Sequence, residues 1–104
     1  MPLFLVRRHF PRATRADLDA ASFRSLSCLM YHPGLAWIRS YWNAATETLT
    51  CVYQAEDEGQ IRAHASRAAI PCQEISRVDE VDPAQYVAET PPAPENATAV
   101  TDRA

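Results

Sequence analysis

The sequence predicts one α+β domain whose elements run β-α-β-β-α-β, followed by an acidic tail. Three observations predict it. Strand-like apolar or alternating runs and helix-period runs follow one another in that order over residues 2–81. Prolines stand at the joints, at Pro11, Pro33-Gly34 and Pro71. From Pro83 onward the composition shifts to Pro, Ala, Thr and acids, which cannot bury enough apolar surface to order itself. A chain of 104 residues has room for one domain. The expected division is therefore a folded unit over 1–82 and a Pro-rich, acidic, disordered tail over 83–104.

Each element has its own signal. Leu3, Phe4, Leu5 and Val6 are apolar without alternation, which suits a strand over residues 2–10 with both faces covered. Thr14 can cap a helix, and Asp17 favours the positive end of its dipole. Leu18, Ser22, Leu26 and Leu29, flanked by Ala21, Ser25 and Cys28, form its expected inner face. Phe23 and Met30 lie well round from that face and predict a second buried contact. Residues 35–43 alternate as a strand, with Trp37 and Tyr41 on one side and Ile38 and Trp42 on the other. Asn43 to Glu47 make a polar turn into a strand over 48–55, so the two strands form a hairpin. Asp57 and Gln60 predict a capping box, and Ile61, Ala65 and Ala68 the apolar stripe of a second helix. Residues 74–81 form a weaker strand, with Ile75 and Val78 on opposite faces.

This order is the split β-α-β pattern of ferredoxin-like folds: a four-stranded antiparallel sheet with two helices on one face. The opposite face then carries apolar side chains that the helices do not cover. Exposed apolar surface of that extent is uncommon in a monomer, so a homodimer is expected. Small domains also gain from association because they bury a modest fraction of their surface.

Composition narrows the function. Residues 1–81 hold nine Arg against nine Asp and Glu, and residues 82–104 hold four acids and one Arg, so the net charge of −3 sits in the tail. The body has no basic stripe, which argues against a nucleic-acid partner. The chain has no Lys, which excludes Schiff-base lysines and phosphate-binding lysines. Cys28, Cys51 and Cys72 are odd in number and far apart, so free thiols and a cytoplasmic location are expected, with no membrane span. The apolar run at Leu3 is too short for a signal peptide, and its arginines follow it.

Several segments together resemble a known family. They are Phe4-Leu5-Val6 followed by an Arg, Pro11 with Ala13-Thr14, Trp37-Ile38-Arg39-Ser40-Tyr41, Cys51-Val52-Tyr53-Gln54-Ala55, and Ile61-Arg62-Ala63-His64-Ala65. The set is similar to a domain-of-unknown-function family of small ferredoxin-like proteins, over about residues 2–81. One branch of that family is nickel-binding and dimeric, which implies a divalent metal here, with no nucleotide or organic cofactor. The resemblance places a metal ligand at His64. It also departs from the family: Arg7 stands where many members have Glu, and Ile70 where that branch has a second His. His9, at the end of the first strand, or a carboxylate is then the candidate partner of His64, since imidazole is a good ligand when neutral.

A second reading is a cofactor-free small-molecule-binding protein or enzyme of the dimeric α+β barrel type. Its pocket would involve Arg39, Tyr41 and His64, with Tyr53 as a further ligand-binding residue. An Arg among tyrosines can hold a carboxylate or a phenolate. A third reading is a plain interaction module. His32, beside Pro33-Gly34, reads as a structural residue at a helix end. Glu56, Asp57 and Glu58 read as helix-start acids and Cys51 as a small buried hydrophobe.

Overall fold

The computed structural model describes residues 1–87. The elements are β1 (Leu3–His9), α1 (Arg15–Cys28), β2 (Ala36–Asn43), β3 (Thr48–Gln54), α2 (Glu58–Ala68) and β4 (Glu74–Val78). Short 3-10 turns span Leu29–Tyr31 and Pro83–Tyr86. The expected element order is the observed one. Of the tail expected to be disordered over 83–104, Pro83–Tyr86 forms a 3-10 turn, and the part beyond residue 87 lies outside the described residues.

The sheet runs β2-β3-β1-β4, with every neighbouring pair antiparallel. Both helices lie on one face, as in ferredoxin-like folds. The core there joins Phe4 and Val6 of β1, Cys51 and Tyr53 of β3, and Ile61 of α2. Ile61 and Ala65 are fully or almost fully buried, which matches the apolar stripe read for α2. Small residues at Ala65 and Ala68 let that helix sit close to the sheet.

The helix ends follow from local chemistry. Thr14 and Asp17 form a reciprocal capping box at the start of α1. At α2 the expected box is shifted by one residue. The Asp57 carboxylate accepts from the Gln60 backbone N–H, but the Gln60 side-chain amide oxygen accepts from the Glu56 N–H. The Gln60 amide also donates to the Pro33 carbonyl at 2.8 Å, tying α2 to the loop before β2. Arg24 of α1 donates to the Ala68 carbonyl at the end of α2, where a cation meets unpaired carbonyls and the negative end of the dipole.

Two expectations about side-chain direction are corrected. The inner face of α1 is Ala21 and Ser25, with Leu18 and Cys28 partly covered, while Leu26 is half-exposed. Phe23 and Met30 point to solvent at 69% and 76% exposure, so they make no second buried contact in the protomer. In β2 a bulge at Ile38 breaks the alternation: Trp37 lies opposite Tyr53, and Arg39 lies opposite Val52. Trp37 therefore shares the helix-covered side with Ser40, to whose hydroxyl its indole N–H donates at 2.8 Å. Tyr41 lies on the other side.

Candidate functional site

The strand period sorts the candidate residues between the two faces. Even positions of β1 point into the helix-covered layer and odd positions away from it. His9 is exposed on the open face, and His64 is fully buried in the covered layer. The sheet stands between them, so the structure does not bring the two predicted metal ligands together. Arg39 and Tyr41 share the open face as expected. With Leu3, Ile38 and Val52 they line a shallow groove of about 360 Å³. Tyr53 is buried on the opposite side with His64. The pocket expected around Arg39, Tyr41 and His64 thus separates into two places, because the sheet divides its members.

His64 is held by the way α1 ends. The Leu29 N–H turns back to the Leu26 carbonyl, tightening the last turn. The Ser25 carbonyl lies 2.9 Å from His64 Nε2. A carbonyl only accepts, so Nε2 carries the proton and Nδ1 keeps its lone pair. That Nδ1 is buried and has no hydrogen-bond partner among the described residues. Burial lowers the His64 pKa, the Ser25 hydrogen bond opposes this, and His32 and Arg8 nearby lower it further. A neutral imidazole with one nitrogen anchored on a backbone carbonyl is the arrangement that metal-ligating histidines adopt.

His32 stands beside it. Its ring lies edge-on to His64 with centres 5.5 Å apart, and its Nε2 is also buried without a partner. His32 follows the 3-10 turn after α1, and the loop beyond it folds back through the Leu35 N–H to the His32 carbonyl. Sequence reasoning gave this residue a structural role. The available signal was its position: the Pro33-Gly34 turn folds the chain back beside α2.

The second residue missed is Arg8. It is 1% exposed although it stands next to the solvated Arg7. Parity with Phe4 and Val6 was the signal that it points inward. Its guanidinium donates to the Pro71 carbonyl and, at 3.1 Å, to the Tyr53 hydroxyl. Burial pushes the Tyr53 phenol up, while the Arg8 charge pulls it down.

Among the described residues, no group of three or more His, Cys, Asp or Glu side chains is arranged to hold a metal ion. No helix among them is long and apolar enough to cross a membrane. Cys28, Cys51 and Cys72 are free thiols.

Comparisons with known proteins agree with the fold and sharpen the family. The family described as nickel responsive protein SCO4226-like matches residues 4–78. Among solved structures, the crystal structure of SCO4226 from Streptomyces coelicolor A3(2) superposes with a TM-score of 0.69 at 17% identity, covering 77% of this chain and 99% of that one. A search of curated proteins finds no match.

Proposed function

The chain belongs to the SCO4226-like family of nickel responsive proteins, and from that premise we propose that it binds a divalent metal, nickel first, through His64 and His32, as a homodimer. The observation that supports this most is the pair of buried imidazole nitrogens, His64 Nδ1 and His32 Nε2, on rings 5.5 Å apart and without protein partners. With imidazole–metal bonds of about 2.0–2.1 Å, two rings sharing one ion have centres about 4.5–6.3 Å apart. The observed spacing fits within that range.

Two imidazoles make a modest site, with the remaining positions left to water or a further ligand. Ser25 acts on the site through His64: its carbonyl holds the Nε2 proton and so keeps Nδ1 a donor of electrons. Such ligands also suit copper and zinc, so preference for nickel would rest on coordination geometry. His9 is not part of this reading, because it faces the other way.

The homodimer is supported by the open face. Leu3, Leu5, Val52 and Val78 are only partly covered there, and Ile38 and Tyr41 are 40% and 57% exposed. A second copy would cover this surface. Three free thiols favour a reducing compartment such as the cytoplasm.

The test is calorimetric titration of nickel into wild type, His64→Ala and His32→Ala, with light scattering for the mass. Binding in wild type that weakens at least about tenfold in each variant is the expected result. An unchanged isotherm for His64→Ala removes the site. A monomer mass at micromolar concentration removes the dimer.

A further inference from the structure

We propose that Arg8 anchors a buried site for one monatomic anion, chloride or another halide, between the sheet and α1. The charge is present and unmatched. An arginine stays protonated in proteins, and this one is 1% exposed. Its two acceptors, the Pro71 carbonyl and the Tyr53 hydroxyl, are neutral groups at pH 7. No carboxylate comes within ion-pair distance of it among the described residues, where the ion pairs use Arg7, Arg15 and Arg62. Buried charges in proteins are otherwise paired or bound to ions.

The donors are also present. Arg8 Nε is buried and completes no hydrogen bond among the described residues, with the Cys51 thiol as a weak neighbour of the guanidinium. Ser25 Oγ, on a residue 3% exposed, completes no hydrogen bond among the described residues, although it lies near enough to the Tyr53 hydroxyl to lower its pKa. Both residues line one narrow cavity, together with Cys51, Tyr53, Trp37 and Leu49. The Tyr53 hydroxyl accepts from Arg8, so its own proton can be donated either to the neighbouring Ser25 hydroxyl or to a bound ion.

The space selects the ligand. Room for the centre of a water-sized sphere amounts to about 10 Å³. That is the lower limit for one water-sized particle, so a halide needs a small outward shift of the lining, and sulfate, phosphate or a carboxylate has no place. A water molecule would satisfy Nε and Ser25 but would leave the guanidinium charge unmatched. A halide satisfies the donors and the charge together. The donor set offers nothing to a cation.

The experiment uses the full chain after treatment with a chelator, so that nickel plays no part and the outcome is independent of the metal reading. Thermal midpoints are compared in chloride and in sulfate at equal ionic strength, for wild type, Arg8→Met and Ser25→Ala. A tenfold excess of chloride over its Kd should raise the wild-type midpoint by about 6 °C relative to sulfate. The difference should shrink in Ser25→Ala and vanish in Arg8→Met, whose apolar side chain suits the same layer. Crystals grown in bromide should show an anomalous peak beside Arg8 Nε, a readout that stands even if Arg8→Met does not fold. Equal midpoints in the two salts, a chloride effect that survives in Arg8→Met, or bromide found only on the exposed surface would overturn the proposal.

Discussion

Arg7 and Arg8 are neighbours in β1 and live in different surroundings. Arg7 lies on the open face, 63% exposed, and meets Glu74 at 3.0 Å. Arg8 lies under the helices, almost wholly covered, with neutral acceptors and a nitrogen that has none. One step along a strand moves the same side chain from a solvated ion pair to an unmatched buried charge. The histidines repeat the contrast: His9 is solvated, and His64 is buried with one nitrogen anchored. Residue type therefore says little about chemistry in this sheet until the face is known. The covered face holds the buried polar atoms that lack a partner among the described residues, at Arg8, Ser25, His32 and His64, and such atoms are uncommon in folded proteins.

The widest gap between the faces should appear in packing. Ile61→Ala removes a fully buried side chain and should cost about 2–5 kcal/mol in urea unfolding. Leu5→Ala, on the open face, should cost under about 1 kcal/mol where the chain is monomeric, since its side chain is only partly covered. If a second copy covers that face, the Leu5→Ala cost rises with protein concentration and the comparison narrows. A cost that is small at every concentration leaves the open face bare.

Protonation should separate the faces next. The folded His64 pKa is held below the ordinary imidazole value of 6.5, first by burial. As pH falls through 6.5, the unfolded chain takes up a proton that the folded chain refuses. The His64 contribution to stability is therefore intact above pH 6.5 and declines as the pH drops towards the lowered folded value. Thermal midpoints measured from pH 8 down to pH 5 should show this decline, and His64→Gln should flatten it. An acid limb of the same steepness in the variant would assign the loss to other groups. The smallest effect belongs to the solvated ion pair. Glu74→Ala should change stability by less than about 0.5 kcal/mol, and added salt should shrink even that.

Much of the fold was legible because each joint carries its own chemistry. Thr14 with Asp17, Asp57 with Gln60, and the prolines at 11, 33 and 71 bound the elements within a few residues of where they stand. The inner face of α1 was less legible. Leucines drew attention to Leu26, but the helix packs through Ala21 and Ser25, where small side chains permit close approach. Among the candidate residues, the family motif singled out His64, and strand parity put Arg39 and Tyr41 on one face. His32 was not singled out, because its place beside His64 depends on a turn that brings residues 32 and 64 together across a long stretch of chain. Arg8 was missed because a charged residue after an apolar run reads as the end of burial, and only the parity of Phe4 and Val6 says otherwise. The separation of His9 from His64 follows from the same parity.

The bulge at Ile38 gives β2 one residue more than its pairing with β3 requires. Strict alternation from Trp37 would turn Arg39 towards the core and Tyr41 after it. The spare residue absorbs that step, so Trp37 and Trp42, five positions apart, face the same way. This makes the strand unevenly tolerant of changes in length. Deleting Ile38 would remove the surplus and leave every other side chain on its present face. Deleting a residue from Ser40 to Trp42 and closing the bulge would turn the residues between the bulge and the gap to the opposite face. Across relatives that vary in length within this strand, position 38 is where gaps can accumulate without rewriting either surface of the sheet.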